Sequence, residues 1–235
     1  MSRVRPVVAI DGPAGAGKST VTQRVAQALG YYIVDTGALY RTVALVVERA
    51  GIEFEDADRV GPLSEALVAR DAVKLEGDTR GGSRVVLDGA DVSGLIRTPS
   101  LSQGASKVSA QPRVRAALLE LQRAAGRAGG VVLEGRDIGT VVFPDAEAKI
   151  YLTASVDERA RRRFEELTAT GVPAHLDSVK REVIERDQRD STRPIAPLRK
   201  APDALVVDSS ELSIDQVVAR IVKHVREAEA KLSGS

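Results

Sequence analysis

Three glycines, a lysine and two hydroxyls fall within nine residues: Gly12-Pro13-Ala14-Gly15-Ala16-Gly17-Lys18-Ser19-Thr20. The spacing matches G-x-x-x-x-G-K-[ST], a pattern whose main-chain N–H groups converge on an anion. Glycine tolerates positive φ and carries no Cβ, so successive amides can face one concavity. A helix opening at that point adds partial positive charge. Lys18 brings a full charge for the β- and γ-phosphate oxygens, the Ser19 hydroxyl can ligate Mg2+, and Thr20 is placed to touch an α-phosphate. A strand–helix connection capped at Ser19 is the plainer reading. The β-branched run before the loop and the amphipathic run after it favour a cradle for the triphosphate of ATP or a relative.

A phosphate cradle does not name an acceptor; arginines, which grip phosphate bidentately, say more. Four groups stand out. Tyr40-Arg41 ends "DTGALYR", and Arg136-Asp137 lies in "EGRDIG". Arg159, Arg161, Arg162 and Arg163 crowd one helical segment, and Arg186, Arg189 and Arg193 recur at i, i+3 and i+7 before Pro194. For the last two groups a salt-bridged surface helix is the alternative, because Glu158, Glu165, Asp187 and Asp190 are close enough to pair. Arg136 and Asp137 follow an apolar strand at its carboxyl end, where open α/β sheets bind ligands. The alternative for Asp137 is a turn-stabilising role. Glu134, at the end of that strand, is a candidate to orient Mg2+ through water.

The elements that must position these groups alternate. Short apolar, β-branched runs at 7–10, 31–34, 131–134, 149–152 and 204–207 predict strands of a parallel sheet covered on both faces. Helical patterns intervene: Val21, Val25 and Leu29 before Gly30; residues 36–50 before Gly51; and Val114, Leu118 and Leu121 after Pro112. Capping boxes are expected at Ser155-Val-Asp-Glu158 and Ser213-Ile-Asp-Gln216. The second opens a helix whose apolar stripe runs through Val217, Ile221 and Val225. This alternation predicts an α/β fold. Residues 72–94 break it with two alternating segments around Asp78–Ser83, a β-hairpin signal, after a helical stretch at about 56–70. Residues 62–98 therefore read as an insertion, and the terminal "KLSGS" as a frayed end.

Composition narrows the function classes. Of 235 residues, 34 are basic and 33 acidic, a net charge of +1 that gives no global drive toward nucleic acid or anionic membrane. The absence of Cys excludes disulfides and thiolate metal sites, and His175 and His224 alone make a multi-His site very poorly supported. No apolar run approaches the roughly 20 residues of a membrane span, and the four-residue apolar run near the N-terminus is too short for a signal segment. A cytoplasmic monomer is expected.

Six segments together resemble the bacterial cytidylate kinases, in the nucleoside monophosphate (NMP) kinase branch of P-loop proteins. They are "IDGPAGAGKST", "DTGALYR", "VSGLIRT", "QPRVRAALL", "EGRDIGTVVFPDA" and "ERDQRDSTRPIAPL", and the resemblance runs over about residues 4–228. It implies a three-layer P-loop kinase fold, one domain over 1–235, with a five-stranded parallel sheet. Residues 36–110 would form the NMP-binding region, with the small antiparallel insertion at 62–98. Residues 155–195 would form a mobile LID, and the remainder the CORE. It implies Mg2+-dependent transfer of the ATP γ-phosphoryl group to CMP or dCMP. Arg41 and Arg136, helped by Arg193, would hold the acceptor phosphate. Ser106, Arg115 and Asp137 would read the cytosine edge, Thr36 and Tyr40 would line the pocket, and Arg186 and Asp190 would contact base and ribose. Arg159 and Arg162 of the LID cluster would swing onto the transferring group, with Lys18 following it. Ser19 stands where this family often has Gly, and Thr36 where it has Ser; both keep the chemistry.

A hydroxyl acceptor would need a base, for which Asp137 is the only attractive candidate. Another small-molecule kinase, acting on UMP or AMP, is the near alternative. An NTP-gated switch would carry an N-K-x-D element, which the sequence lacks. A nucleic-acid-dependent ATPase fits poorly with 3% aromatic residues and the balanced charge.

Overall fold

In the computed structural model, which describes residues 3–77 and 83–234, the apolar runs become the interior of a sheet. β1 (Val7–Asp11) leads through the glycine loop into α1 (Lys18–Leu29), β2 (Tyr32–Asp35) and α2 (Thr36–Arg49). α3 (Ala57–Ala69) precedes β3 (Val73–Gly77), β4 (Ser83–Leu87) and β5 (Ala90–Asp91). α4 (Pro99–Val108) and α5 (Pro112–Gly126) return the chain to β6 (Val131–Gly135), a π-helical turn (Ile138–Val142) and β7 (Ala148–Thr153). α6 (Val156–Ala169), α7 (Leu176–Thr192), β8 (Leu205–Asp208) and α8 (Ile214–Ser233) follow.

The main sheet is parallel, ordered β2-β6-β1-β7-β8. Side chains alternate across β1: Val8 and Ile10 pack with α1 and α8, Val7 and Ala9 with Leu133, Ile138 and Phe143 on the opposite face. Both faces are covered, which is why the strands read as unbroken apolar runs. A separate core joins α2, α3, α4 and α5 to the small antiparallel sheet, ordered β3-β4-β5. Register brings Asp11 beside Gly135 and Asp35 beside Glu134, so three strands deliver carboxylates to one edge of the sheet.

Several sequence expectations shift. The second strand starts one residue late because the Tyr31 N–H is taken by the Ala26 carbonyl at the end of α1, at 2.9 Å, while its hydroxyl bonds Glu229 of α8. The predicted hairpin gains a third strand, β5; its turn, residues 78–82, lies outside the described residues. Ser155 accepts the N–H of Glu158 at 3.2 Å, but the reciprocal half of that capping box is missing: the Glu158 carboxylate turns to Arg161 and Arg162, and the Ser155 N–H goes to Ser210. Ser213 and Gln216 do form the full box. The expected frayed tail is helical through Ser233. The sequence reading had no counterpart for α4 or the π-helical turn, both of which border the site.

Candidate active site

The loop between β1 and α1 is shaped by close approach. A Cβ at Gly12 would sit 1.9 Å from the Leu152 carbonyl oxygen, so only glycine lets the loop leave β1 against β7. Gly17 caps α1 at φ 84°, a left-handed conformation that turns the chain into the helix. Lys18 is buried, and its Nζ donates to the Pro13 carbonyl at 2.7 Å, which folds the ammonium back over the loop. Burial, reinforced by Arg136, pulls its pKa well below that of an ordinary lysine; Glu134 opposes this. A bound polyphosphate would raise it again by favouring the charged form. The Ser19 Oγ donates to Glu134 Oε2 at 3.1 Å. Burial, with Asp35 alongside, pushes the Glu134 carboxyl above the usual range. A hydroxyl and a carboxylate short of positive charge form a hard-oxygen set suited to a cation that keeps water and phosphate among its ligands.

Facing the loop is a set of arginines held by carboxylates. Asp35 caps α2 by accepting the Ala38 N–H at 3.2 Å and pairs with Arg41, whose Nε is buried without a hydrogen-bond partner. Asp190 accepts Arg136 Nε at 2.9 Å and the Ser106 hydroxyl at 3.3 Å, with Arg186 Nε 3.9 Å away. Burial raises the Asp190 pKa, but Arg136 and Arg186 outweigh it and hold the carboxyl below its ordinary value. Burial and Arg136 pull Arg186 down to about 10. So the cluster carries more positive charge than its own carboxylates neutralise, the electrostatic signature of an anion site.

Beside this, Asp137 pairs with Arg115 and, at 3.3 Å, with Arg193. Arg115 also donates to the Ser109 carbonyl at 3.3 Å and stacks 5.5 Å from the centre of the Tyr40 ring. The Thr36 hydroxyl donates to the Glu134 carbonyl at 2.8 Å, leaving its oxygen as an acceptor. Arg193 is not on the helical face predicted for it: α7 ends at Thr192, and Arg193 extends away with Nε on the Ala196 carbonyl at 2.7 Å.

One cleft of about 1140 Å3 gathers Lys18, Ser19, Thr36, Tyr40, Arg41, Ser106, Arg115, Glu134, Arg136, Asp137, Arg162, Arg186, Asp190 and Arg193. Thr20 lines it at the exposed start of α1. Arg159 does not line it; that side chain is buried behind the loop. Sequence reasoning did not single out Asp35, Ser109 or Asp11 as site residues. Asp35 had a signal, as a carboxylate before a helix-forming run. Asp11 accepts the Ile138 and Gly139 N–H groups at 2.8 and 2.7 Å, fixing the turn that presents Arg136 and Asp137, and only the tertiary fold reveals it.

A glycine loop with a buried lysine at the carboxyl end of β1, facing a guanidinium cluster across one cleft, defines a P-loop kinase acting on a small anionic acceptor. The sequence profile of the cytidylate kinases matches residues 8–227, and the chain belongs to that family. It is 50% identical over 220 residues to the cytidylate kinase of Pelotomaculum thermopropionicum, covering 94% of this chain and 96% of that one. It is 47% identical over 235 residues to that of Shewanella amazonensis, covering 100% and 99%. A crystal structure of an uncharacterized protein from Eubacterium ventriosum superposes with a TM-score of 0.54 over 94% of this chain and 99% of that one; at 11% identity this shows the shared fold alone. The chain is a nucleoside monophosphate kinase that transfers a phosphoryl group from ATP to CMP or dCMP.

Proposed function

We propose that the two halves of the cleft divide the reaction between them. The loop, Gly12 to Thr20, binds the donor phosphates, with Lys18 against the transferring group. Arg41 and Arg136, assisted by Arg193, bind the acceptor phosphate. Ser106, Arg115 and Asp137 read the cytosine edge, while Thr36 and Tyr40 line the acceptor pocket. Arg186 and Asp190 contact the base and ribose, and Arg162 reaches the donor side from α6. Mg2+ would be held by the Ser19 hydroxyl and, through water, by Glu134; when bound it would neutralise charge on the phosphate oxygens.

The acceptor is a phosphate oxygen already ionised near pH 7, so transfer needs no general base. In-line displacement then depends on positioning and charge neutralisation by Lys18 and the arginines. Residues 155–195, containing α6 and α7, act as the LID. Residues 36–110 form the NMP-binding region, and the remainder of the 1–235 domain is the CORE. Closure of the LID would exclude water. The protein works as a cytoplasmic monomer. Among the described residues, no helix is long and apolar enough to cross a membrane.

The observation that carries this reading is the buried Asp137–Arg115 pair, bounded by Arg193, Tyr40 and the Ser109 carbonyl, in the same cleft as the arginines of the anion site. Cytosine presents a 4-amino donor to a carboxylate, whereas uracil presents an acceptor there. One mismatched buried polar group costs about 1–3 kcal/mol. A coupled assay of ADP formation across CMP, dCMP, UMP and AMP tests this. UMP should fall at least about five-fold below CMP in kcat/KM, and Asp137→Asn should narrow that ratio. Equal use of UMP and CMP by the native enzyme would remove Asp137 from base recognition.

A further inference from the structure

Arg159 joins three parts of the molecule beneath the phosphate loop. Its Nε donates to the Ala154 carbonyl at 2.9 Å, just past β7. Its Nη1 donates to the Ala14 carbonyl, in the loop itself, at 3.2 Å. Its Nη2 pairs with Asp187 Oδ2 on α7 at 2.6 Å. The side chain is 5% exposed, and a Cβ added to Gly15 would lie 3.0 Å from that of Arg159, so loop and helix touch directly. A buried, fully engaged guanidinium of this kind is already committed to protein groups, which argues against its swinging onto the transferring phosphoryl group.

Its partner lies on the acceptor side. Three residues beyond Asp187 on the same helix, Asp190 receives Arg136 and Ser106. Arg189 donates to Ser106 at 2.9 Å, and Arg186 to Ser102 at 3.1 Å. Asp187 and the groups that face the acceptor therefore share one helix, so contacts made by α7 on the acceptor side bear on Asp187 as well. The second carboxylate oxygen, Asp187 Oδ1, is buried without a hydrogen-bond partner, so the Arg159–Asp187 contact is a single-point joint rather than a two-point clamp.

We propose that Arg159 is a positioning residue, and that its ion pair with Asp187 is the joint through which acceptor binding on α7 organises the donor phosphate loop. The proposal rests on the two-site reading given above. It makes donor and acceptor binding cooperative, and by linkage the effect is reciprocal.

Isothermal titration tests it with a non-hydrolysable β,γ-imido ATP analogue, with and without saturating CMP, and with CMP alone. The proteins are the native chain, Asp187→Asn and Arg159→Lys. In the native protein CMP should tighten the analogue about five-fold or more, and the analogue should tighten CMP by the same factor. In Asp187→Asn, which keeps the shape and removes the charge, that factor should fall close to one. The analogue's affinity without CMP should there stay within about three-fold of the native value. Arg159→Lys, unable to reach all three partners from one ammonium, should not restore the coupling. Three results would overturn the proposal: no coupling in the native protein, coupling undiminished in Asp187→Asn, or an equal loss of analogue affinity with and without CMP. These leave the acceptor-site reading standing. A failure of CMP to bind the native protein on its own would overturn both.

Discussion

Both carboxylate oxygens of Asp11 accept main-chain N–H groups, yet burial dominates and lifts its pKa from 3.8 to about 6. A raised carboxyl binds its proton more tightly folded than unfolded. Stability from this group is therefore present below about pH 4 and lost as pH rises toward 6 and beyond. The shift corresponds to roughly 3 kcal/mol between the two limits. Asp11→Asn removes the titration and keeps one acceptor. Urea unfolding of both proteins from pH 4 to pH 8 should show the native chain losing ground to the variant as pH rises. A difference that is flat, or of the opposite slope, would show that the Asp11 carboxyl does not titrate this way. The price of that buried charge is set against its task, since the same two N–H groups belong to the turn that follows Arg136 and Asp137.

At the scale of elements, α8 closes one face of the sheet through Val217, Ile221 and Val225, packed with β1, β7 and α1. Its start is fixed by the Ser213–Gln216 box, with the Ser213 N–H on Gln216 Oε1 at 2.9 Å and the Gln216 N–H on Ser213 Oγ at 3.3 Å. Ser213→Ala should lower unfolding free energy by about 1 kcal/mol. Ser213 also lines the cleft, so chemical denaturation and the KM for ATP, measured on the same preparation, separate the loss of helix stability from a change in donor binding. The Ser155 site would give a smaller effect for Glu158, whose carboxylate serves Arg161 and Arg162 instead of the helix start. Strand and helix identities were legible because apolar periodicity is local. The π-helical turn was not, because its geometry comes from Asp11, 127 residues away in the chain from the N–H of Ile138.

Over the whole molecule, a net charge of +1 conceals strong local separation: arginines crowd one cleft while carboxylates hold them in place. The donor and acceptor sites share that cleft, so closure over both should protect the transferring group from water. ATP consumption without an acceptor is therefore expected to be roughly a hundred-fold or more below the rate with saturating CMP. DNA and RNA should not stimulate it. A coupled ADP assay with each addition measures this, and brisk hydrolysis of ATP alone would contradict a cleft completed by the acceptor.

The sequence alone determined the phosphate loop, the alternating α/β order and the arginines that the cleft gathers, but not Asp35, Ser102, Ser109, Glu182 or Ser209, which line it as well. Loop geometry depends on glycine spacing, helix and strand on short-range periodicity, and arginine on its own fixed chemistry. The tertiary structure decided what those residues do to one another. It paired Asp137 with Arg115 and Arg193, and Asp190 with Arg136. It took Arg159 out of the cleft and set it between the loop and α7. It also gave Asp11 its work. Partners 22 to 145 residues apart meet only when strand register and helix packing bring them together, and no local pattern in the chain records such a meeting.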